Sequence, residues 1–278
     1  MPALAALNNI LSINRIQKSP VLPPALLFTL LLLPAAVPAS DLAREQRLAE
    51  QTVDAILDGE PLTLTAGEIE FLGIEMTAES DPPRGAAIIL HGRGIHPDWA
   101  QVAAPLRTGL PAHGWTTLSL QMPVLARDAK YYDYVPVFPE AIPRIEAGID
   151  HLRAEGYERI VLIAHSCGVH MSMAWLDVIE DPRIAAYIGI GMGATDYKQP
   201  MRQPFPFDKL RVSFLSITGS EDYPGVQRMA DAIAVRMDGF HPLSAQREIS
   251  GAEHYYDNHE TELVEAVAEW LETLGTDK

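Results

Sequence analysis

A serine hydroxyl becomes a useful nucleophile only when a base takes its proton and an acid holds that base in place. The first of these parts is suggested by Arg159-Ile160-Val161-Leu162-Ile163-Ala164-His165-Ser166-Cys167-Gly168-Val169-His170. Four β-favouring aliphatics run into a small residue and then His-Ser-Cys-Gly, followed by Val169, Met173 and Leu176 at helical spacing. That is the layout of a nucleophile elbow, a buried strand turning sharply into a helix with serine at the apex. A strained apex needs small flanks. Gly168 meets that need on one side, and Ala164 stands where glycine is usual on the other. The plainer account is a buried strand that ends by chance in Ser-Cys-Gly.

In elbow enzymes the acid and the histidine follow the serine in that order, each at the end of a later strand. Thr218-Gly219-Ser220-Glu221-Asp222-Tyr223-Pro224 offers Asp222, with Glu221 as the backup. Gly251-Ala252-Glu253-His254-Tyr255-Tyr256 offers His254, with His259 as the alternative. Each is ordinary turn chemistry taken alone. The weight lies in their joint order, each behind its own apolar strand. The oxyanion that forms on attack needs two preorganised N–H donors. Cys167, directly after the serine, supplies one by position, and its side chain is expected to turn away from the substrate. Arg93, in His91-Gly92-Arg93-Gly94 after an early apolar run, supplies the other.

These parts require a parallel sheet to hold them. Residues 41–57 read as an amphipathic helix ended by Gly59 and Pro61. Strands are expected at 69–77 and 86–90, paired antiparallel through the Asp81–Gly85 turn. Helices at about 98–110, 140–155, 167–180 and 225–237 then alternate with strands at 116–120, 159–163, 185–190, 212–218 and 245–249. A final helix presents Leu263, Val264, Val267, Trp270, Leu271 and Leu274. Such alternation means a parallel sheet covered on both faces.

Two connections, Met122–Phe138 and Asp196–Asp208, are long and aromatic, and are expected to rise over the active edge. Tyr131, Tyr132, Tyr197 and Phe205 are the candidate substrate contacts, and a static cover is the competing role. Arg93 and Lys198 offer positive charge to an acidic group. His91, His96 and Asp98 lack a second cluster at ligand spacing, so no metal is assigned. Neither a phosphate loop nor a dinucleotide fingerprint is present, so no cofactor is expected.

The 278 residues are 47% hydrophobic, enough for one sizeable core, and carry a net charge of −16. With no basic cluster, nucleic acid is not an expected partner. One cysteine, Cys167, excludes an internal disulfide. Arg15 and Lys18 precede an apolar run over Val21–Val37 that closes on Val37-Pro38-Ala39. This reads as a signal peptide over residues 1–39, with a single domain over 40–278 whose residues 41–60 form a helical extension. The expected location is the periplasm or outside the cell. An uncleaved inner-membrane anchor is the alternative, and the segment implies at most brief membrane association.

The chain resembles the α/β-hydrolase superfamily from about Leu64 to the C-terminus. It is also similar to a poorly characterised family of exported proteobacterial proteins. That likeness lies in Asp41-Leu42-Ala43-Arg44-Glu45-Gln46-Arg47, His91-Gly92-Arg93-Gly94-Ile95-His96-Pro97-Asp98-Trp99 and Gly114-Trp115-Thr116-Thr117-Leu118-Ser119. The superfamily resemblance implies an eight-stranded, mostly parallel sheet with short cap loops only, and catalytic roles for Ser166, Asp222 and His254. The expected activity is hydrolysis of a carboxylic ester, less readily an amide or thioester, on a small-molecule substrate. A non-catalytic envelope protein that kept the fold, and a thiol enzyme built on Cys167, are the alternatives.

Overall fold

The structure is a computed structural model that describes residues 39–275. Residues 1–38 of the expected signal segment lie outside the described residues. Asp41 caps the first helix, α1 (Leu42–Ala55), by accepting the Arg44 N–H at 2.9 Å. Next comes β1 (Glu60–Ala66), a strand not expected from the sequence, which begins where the helical extension over 41–60 was expected to end. β2 (Ile69–Met76) pairs antiparallel with β1 through the Gly67 turn. The chain continues through β3 (Gly85–Leu90), α2 (Ala103–Gly109) and β4 (Trp115–Leu120).

The expected pairing of 69–77 with 86–90 is corrected by the sheet order β1-β2-β4-β3-β5-β6-β7-β8, in which β5 is Ile160–His165, β6 Ala186–Ile190, β7 Ser213–Gly219 and β8 Ala245–Ile249. β2 runs antiparallel to β4, while β3 lies parallel to both β4 and β5, the strand Ile160–His165. The antiparallel start survives with a different partner. The all-apolar β3, buried along its whole length, belongs inside the sheet rather than at its margin. The helix expected at 98–110 begins only at Ala103, because His96–Trp99 forms a turn closed by the Trp99 N–H on the His96 carbonyl at 3.1 Å.

Beyond β4, the connection from Met122 is not an open loop. It holds the one-turn helix α3 (Tyr131–Tyr134) and a 3₁₀ stretch over Val135–Ala141, leading into α4 (Ile142–Ala154). α5 (Cys167–Val178) follows β5, and then come β6 (Ala186–Ile190), β7 (Ser213–Gly219), α6 (Pro224–Arg236), β8 (Ala245–Ile249) and α7 (Glu260–Thr273). From β3 to β8 all pairing is parallel.

The sheet buries both faces. Ile88, Leu90, Leu162 and Ala164 point into one core with α4 and α5, and Ile89, Val161, Ile163 and Ile188 into the other with α2 and α7. At roughly 1.5–3 kcal/mol per buried aliphatic side chain, these two layers supply the main drive to fold. They also fix where the chemistry falls, because every parallel strand ends at the same edge. Among the described residues, no helix is long and apolar enough to cross a membrane.

Candidate active site

Ser166 sits between the last residue of β5 and the first of α5, with φ 54° and ψ −115°. A side chain at positive φ costs about 1–3 kcal/mol, and the two packed elements impose it. Gly168 is obligatory here, since a Cβ at that position would stand 2.7 Å from the carbonyl oxygens of both Leu90 and His91. Ala164 is fully buried opposite Gly189 of β6, so the extra methyl is housed within the sheet.

Asp222 follows β7 and His254 follows β8, and both are buried. Gly219 lets their turns approach, since its Cβ would meet the Ala252 carbonyl oxygen at 2.3 Å. His254 Nδ1–H donates to Asp222 Oδ1 at 2.7 Å, and the Ser166 hydroxyl donates to His254 Nε2 at 2.8 Å. The carboxylate oxygen is held in turn by the Tyr223 N–H at 2.6 Å. Tyr223 stacks on the imidazole at 4.4 Å, and Tyr255 meets it edge-on at 5.2 Å. Two rings therefore fix the plane of the imidazole.

Of the backups, Glu221 is exposed and spends its N–H on the Ala252 carbonyl. His259 turns to the Asp257 carbonyl at 3.0 Å. Neither joins the hydrogen-bonded chain.

His91 fixes the orientation of the Arg93 N–H, the second oxyanion donor expected from the sequence. Its Nδ1–H donates to the Gly92 carbonyl at 2.8 Å, and its Nε2 accepts the Met122 N–H at 2.9 Å. Burial lowers its pKa to about 3, so it stays neutral in that tautomer. The Gly92 carbonyl and the Arg93 N–H belong to one planar trans peptide and point in opposite directions. Pinning the carbonyl therefore fixes the N–H. Neither the Arg93 N–H nor the Cys167 N–H donates to another described residue, which leaves both for an incoming oxygen.

His165 is neutral too, lowered to about 3 by burial, and its Nε2–H donates to the His254 carbonyl at 3.0 Å. It supports the histidine loop from below. His96 bonds Thr52 Oγ1 at 3.3 Å and Asp98 pairs with Arg107, so the early His/Asp group serves the fold. Among the described residues, Glu75, His151 and Glu155 bring ligand atoms within 4.8 Å of one another, and there the imidazole already pairs with Glu75 at 2.7 Å.

Ser166 and His254 open onto a cavity of about 610 Å³. Tyr131 and Tyr197 line it. Tyr132 and Phe205 do not. Tyr132 sits behind, under the Arg202 guanidinium at 4.0 Å, and Phe205 is buried against His170 at 5.1 Å. His170, read from sequence as a packing or supporting residue, lines the wall instead. It is stacked on Phe138 at 5.5 Å, is bonded to the Ala194 carbonyl at 2.9 Å, and is kept neutral by burial at about 4. Its spacing of four residues after the serine, one helical turn, was the available signal.

Cys167 also forms part of the wall, contrary to the expectation that it turns away, yet it is only 5% exposed. Burial pushes its thiol up to about 12, far from the thiolate a thiol enzyme needs. Asp196 ties the two long connections together. It pairs with Arg93 and accepts the Tyr131 N–H at 2.6 Å, while Gln199 accepts the Tyr132 N–H at 2.9 Å.

Sheet order, elbow and edge placement define an α/β-hydrolase fold. Solved structures with this architecture include an α/β serine hydrolase homologue from Coxiella burnetii at 15% identity, covering 77% of this chain and 98% of that one with a TM-score of 0.59. An esterase from Pyrococcus furiosus is 16% identical, covering 81% and 94% with a TM-score of 0.61. A lidless α/β serine hydrolase from Xanthomonas campestris is 15% identical, covering 78% and 95% with a TM-score of 0.56. Residues 27–134 match the model of a family described as a protein of unknown function, DUF3530. No curated protein matches the sequence.

Proposed function

We propose that this chain is an exported serine hydrolase that cleaves carboxylic esters through Ser166, His254 and Asp222. The observation that carries the reading is the unbroken hydrogen-bonded chain from serine to imidazole to carboxylate, at 2.8 and 2.7 Å.

As Ser166 Oγ attacks the ester carbonyl, its proton passes to His254 Nε2. Asp222 holds the Nδ1–H and stabilises the imidazolium. The carbonyl oxygen, now negative, is met by the Arg93 and Cys167 N–H groups at the N-terminus of α5, where the helix dipole adds its favour. Collapse breaks the ester C–O bond, and His254 Nε2–H protonates the departing alcohol. Water then attacks the acyl-serine and gives its proton to His254, and the returning proton frees Ser166 and the carboxylic acid. Tyr131, Tyr197 and His170 offer the acyl or alkyl group a partly apolar wall.

A panel of p-nitrophenyl esters of increasing acyl length tests the reading. Release of nitrophenol that is lost in Ser166→Ala supports it, and no turnover of any ester by folded protein contradicts it. Export rests on the apolar run before Ala39. Recovery of a periplasmic form whose N-terminus is Ser40 is the expected result, and a membrane-bound chain that keeps the segment is the contrary one.

A further inference from the structure

The cavity and the whole chain carry opposite charge. The chain has a net charge of −16, yet the cavity is lined by Arg93, Lys198 and Arg228 against one exposed-side carboxylate, Asp196. Among the described residues, no other Asp, Glu, Lys or Arg lines it. Arg93 is spent on Asp196. Among the described residues, neither Lys198 nor Arg228 has an ion-pair partner or a side-chain hydrogen bond to another residue; the Lys198 ammonium rests 5.1 Å over the Tyr197 ring, a contact that leaves its charge uncancelled.

The placement of these two cations is built rather than incidental. Lys198 lies in the segment that Asp196 and Gln199 pin to Tyr131 and Tyr132, and it takes a positive φ of 61°. Arg228 stands on α6, one turn after Pro224 and Gly225, which themselves line the cavity. The two thus come from different walls of the same opening. An acidic protein repels anions at long range, so two cations without a carboxylate partner at one opening create a local field of the other sign.

We propose that the substrate is an anionic ester, one whose acyl or alcohol part ends in a carboxylate or similar anion gripped by Lys198 and Arg228. This rests on the hydrolase reading and names its substrate class. The neutral end of the molecule lies at Ser166, along the wall of Tyr131 and His170, and the charged end at the rim.

Two esters of equal chain length separate the possibilities: mono-p-nitrophenyl adipate, and p-nitrophenyl hexanoate, which carries a terminal methyl in place of the carboxylate. The adipate monoester is expected to have the higher kcat/KM, with the preference shrinking as salt rises. The double variant Lys198→Gln/Arg228→Gln should cut the adipate-to-hexanoate ratio about tenfold, in line with two partly exposed ion pairs. A ratio at or below one, unmoved by salt and by the double variant, overturns the inference while leaving the hydrolase intact. Binding of free adipate to Ser166→Ala, followed calorimetrically, keeps the two readings apart. Adipate binding that is lost in the triple variant, without turnover of either ester by wild type, would sink the hydrolase and keep the anion site. No adipate binding overturns the anion site directly.

Discussion

Arg44 Nη2 donates a 3.0 Å hydrogen bond to the Gly94 carbonyl, joining α1 to the loop that carries the Arg93 N–H. The next residue, Glu45, accepts the Val124 N–H at 3.0 Å and pairs with Arg144 at 2.7 Å, and Arg144 donates to the Gln121 carbonyl at 3.0 Å. The N-terminal helix is therefore bonded to the back of the candidate site. Arg44 acts as a positioning residue. Arg44→Ala should lower kcat about tenfold with a smaller change in KM, less than the loss from deleting an oxyanion donor outright. Arg44→Lys should recover part of it. Steady-state kinetics giving wild-type kcat for folded Arg44→Ala would contradict this role.

Glu45 and Arg144 are both buried, so removing one leaves the other charge without its partner. Glu45→Ala should cost about 3–5 kcal/mol of stability, read as the shift in a urea unfolding curve. A shift below about 1 kcal/mol would show that water reaches Arg144 freely.

The positive φ of Ser166 stores strain that glycine would release. Ser166→Gly should be more stable than Ser166→Ala by about 1 kcal/mol, with both inactive. Equal melting temperatures for the two variants would mean that the elbow is not strained in solution.

Burial lowers His91 and His165 to about 3 and His170 to about 4, against an unfolded value of 6.5. The unfolded chain therefore binds protons first as pH falls. Stability from these groups is complete above pH 6.5 and is lost progressively as pH falls from there toward 4 and 3, by about 1.4 kcal/mol per proton per pH unit. His170→Gln can still donate to the Ala194 carbonyl from the Nε2 position but does not titrate, so its unfolding free energy should fall less steeply between pH 6 and 4.5. Identical slopes in the two proteins would place the His170 ring in contact with solvent.

With its thiol raised to about 12, Cys167 should resist iodoacetamide at pH 8 while the protein is folded and react once it is unfolded in urea. Rapid alkylation of native protein, followed by mass, would contradict the burial.

Much of this site was legible in the sequence because its parts are local. Each apolar strand runs into its own chemistry, as in Val161–Ser166, and Gly168 and Gly219 mark the close approaches. What was not legible is non-local. β1 was missed because Gly59 and Pro61 read as a stop, whereas an edge strand tolerates proline where no ladder N–H is needed. The insertion of β3 between β4 and β5 leaves no local mark, nor does the pairing of Arg44 with a carbonyl fifty residues away. Pro136 and Pro139 disguise the helical turns over 131–141 as a loop, which hides the turning of Tyr132 away from the cavity, and the packing of Phe205 on His170 of α5 leaves no local mark in its own connection. Charge at the rim was half visible: Lys198 stands out in its loop, but Arg228 joins it only when α6 packs beside it.

The central claim is that Ser166 is the nucleophile and His254 its base. Reaction with a fluorophosphonate followed by intact-mass measurement tests it most directly. The expected result is one adduct per chain, mapped to Ser166, absent in Ser166→Ala and formed at least about a hundredfold more slowly in His254→Gln. A folded wild-type protein that takes up no label, or takes it up as fast without His254, would contradict the account.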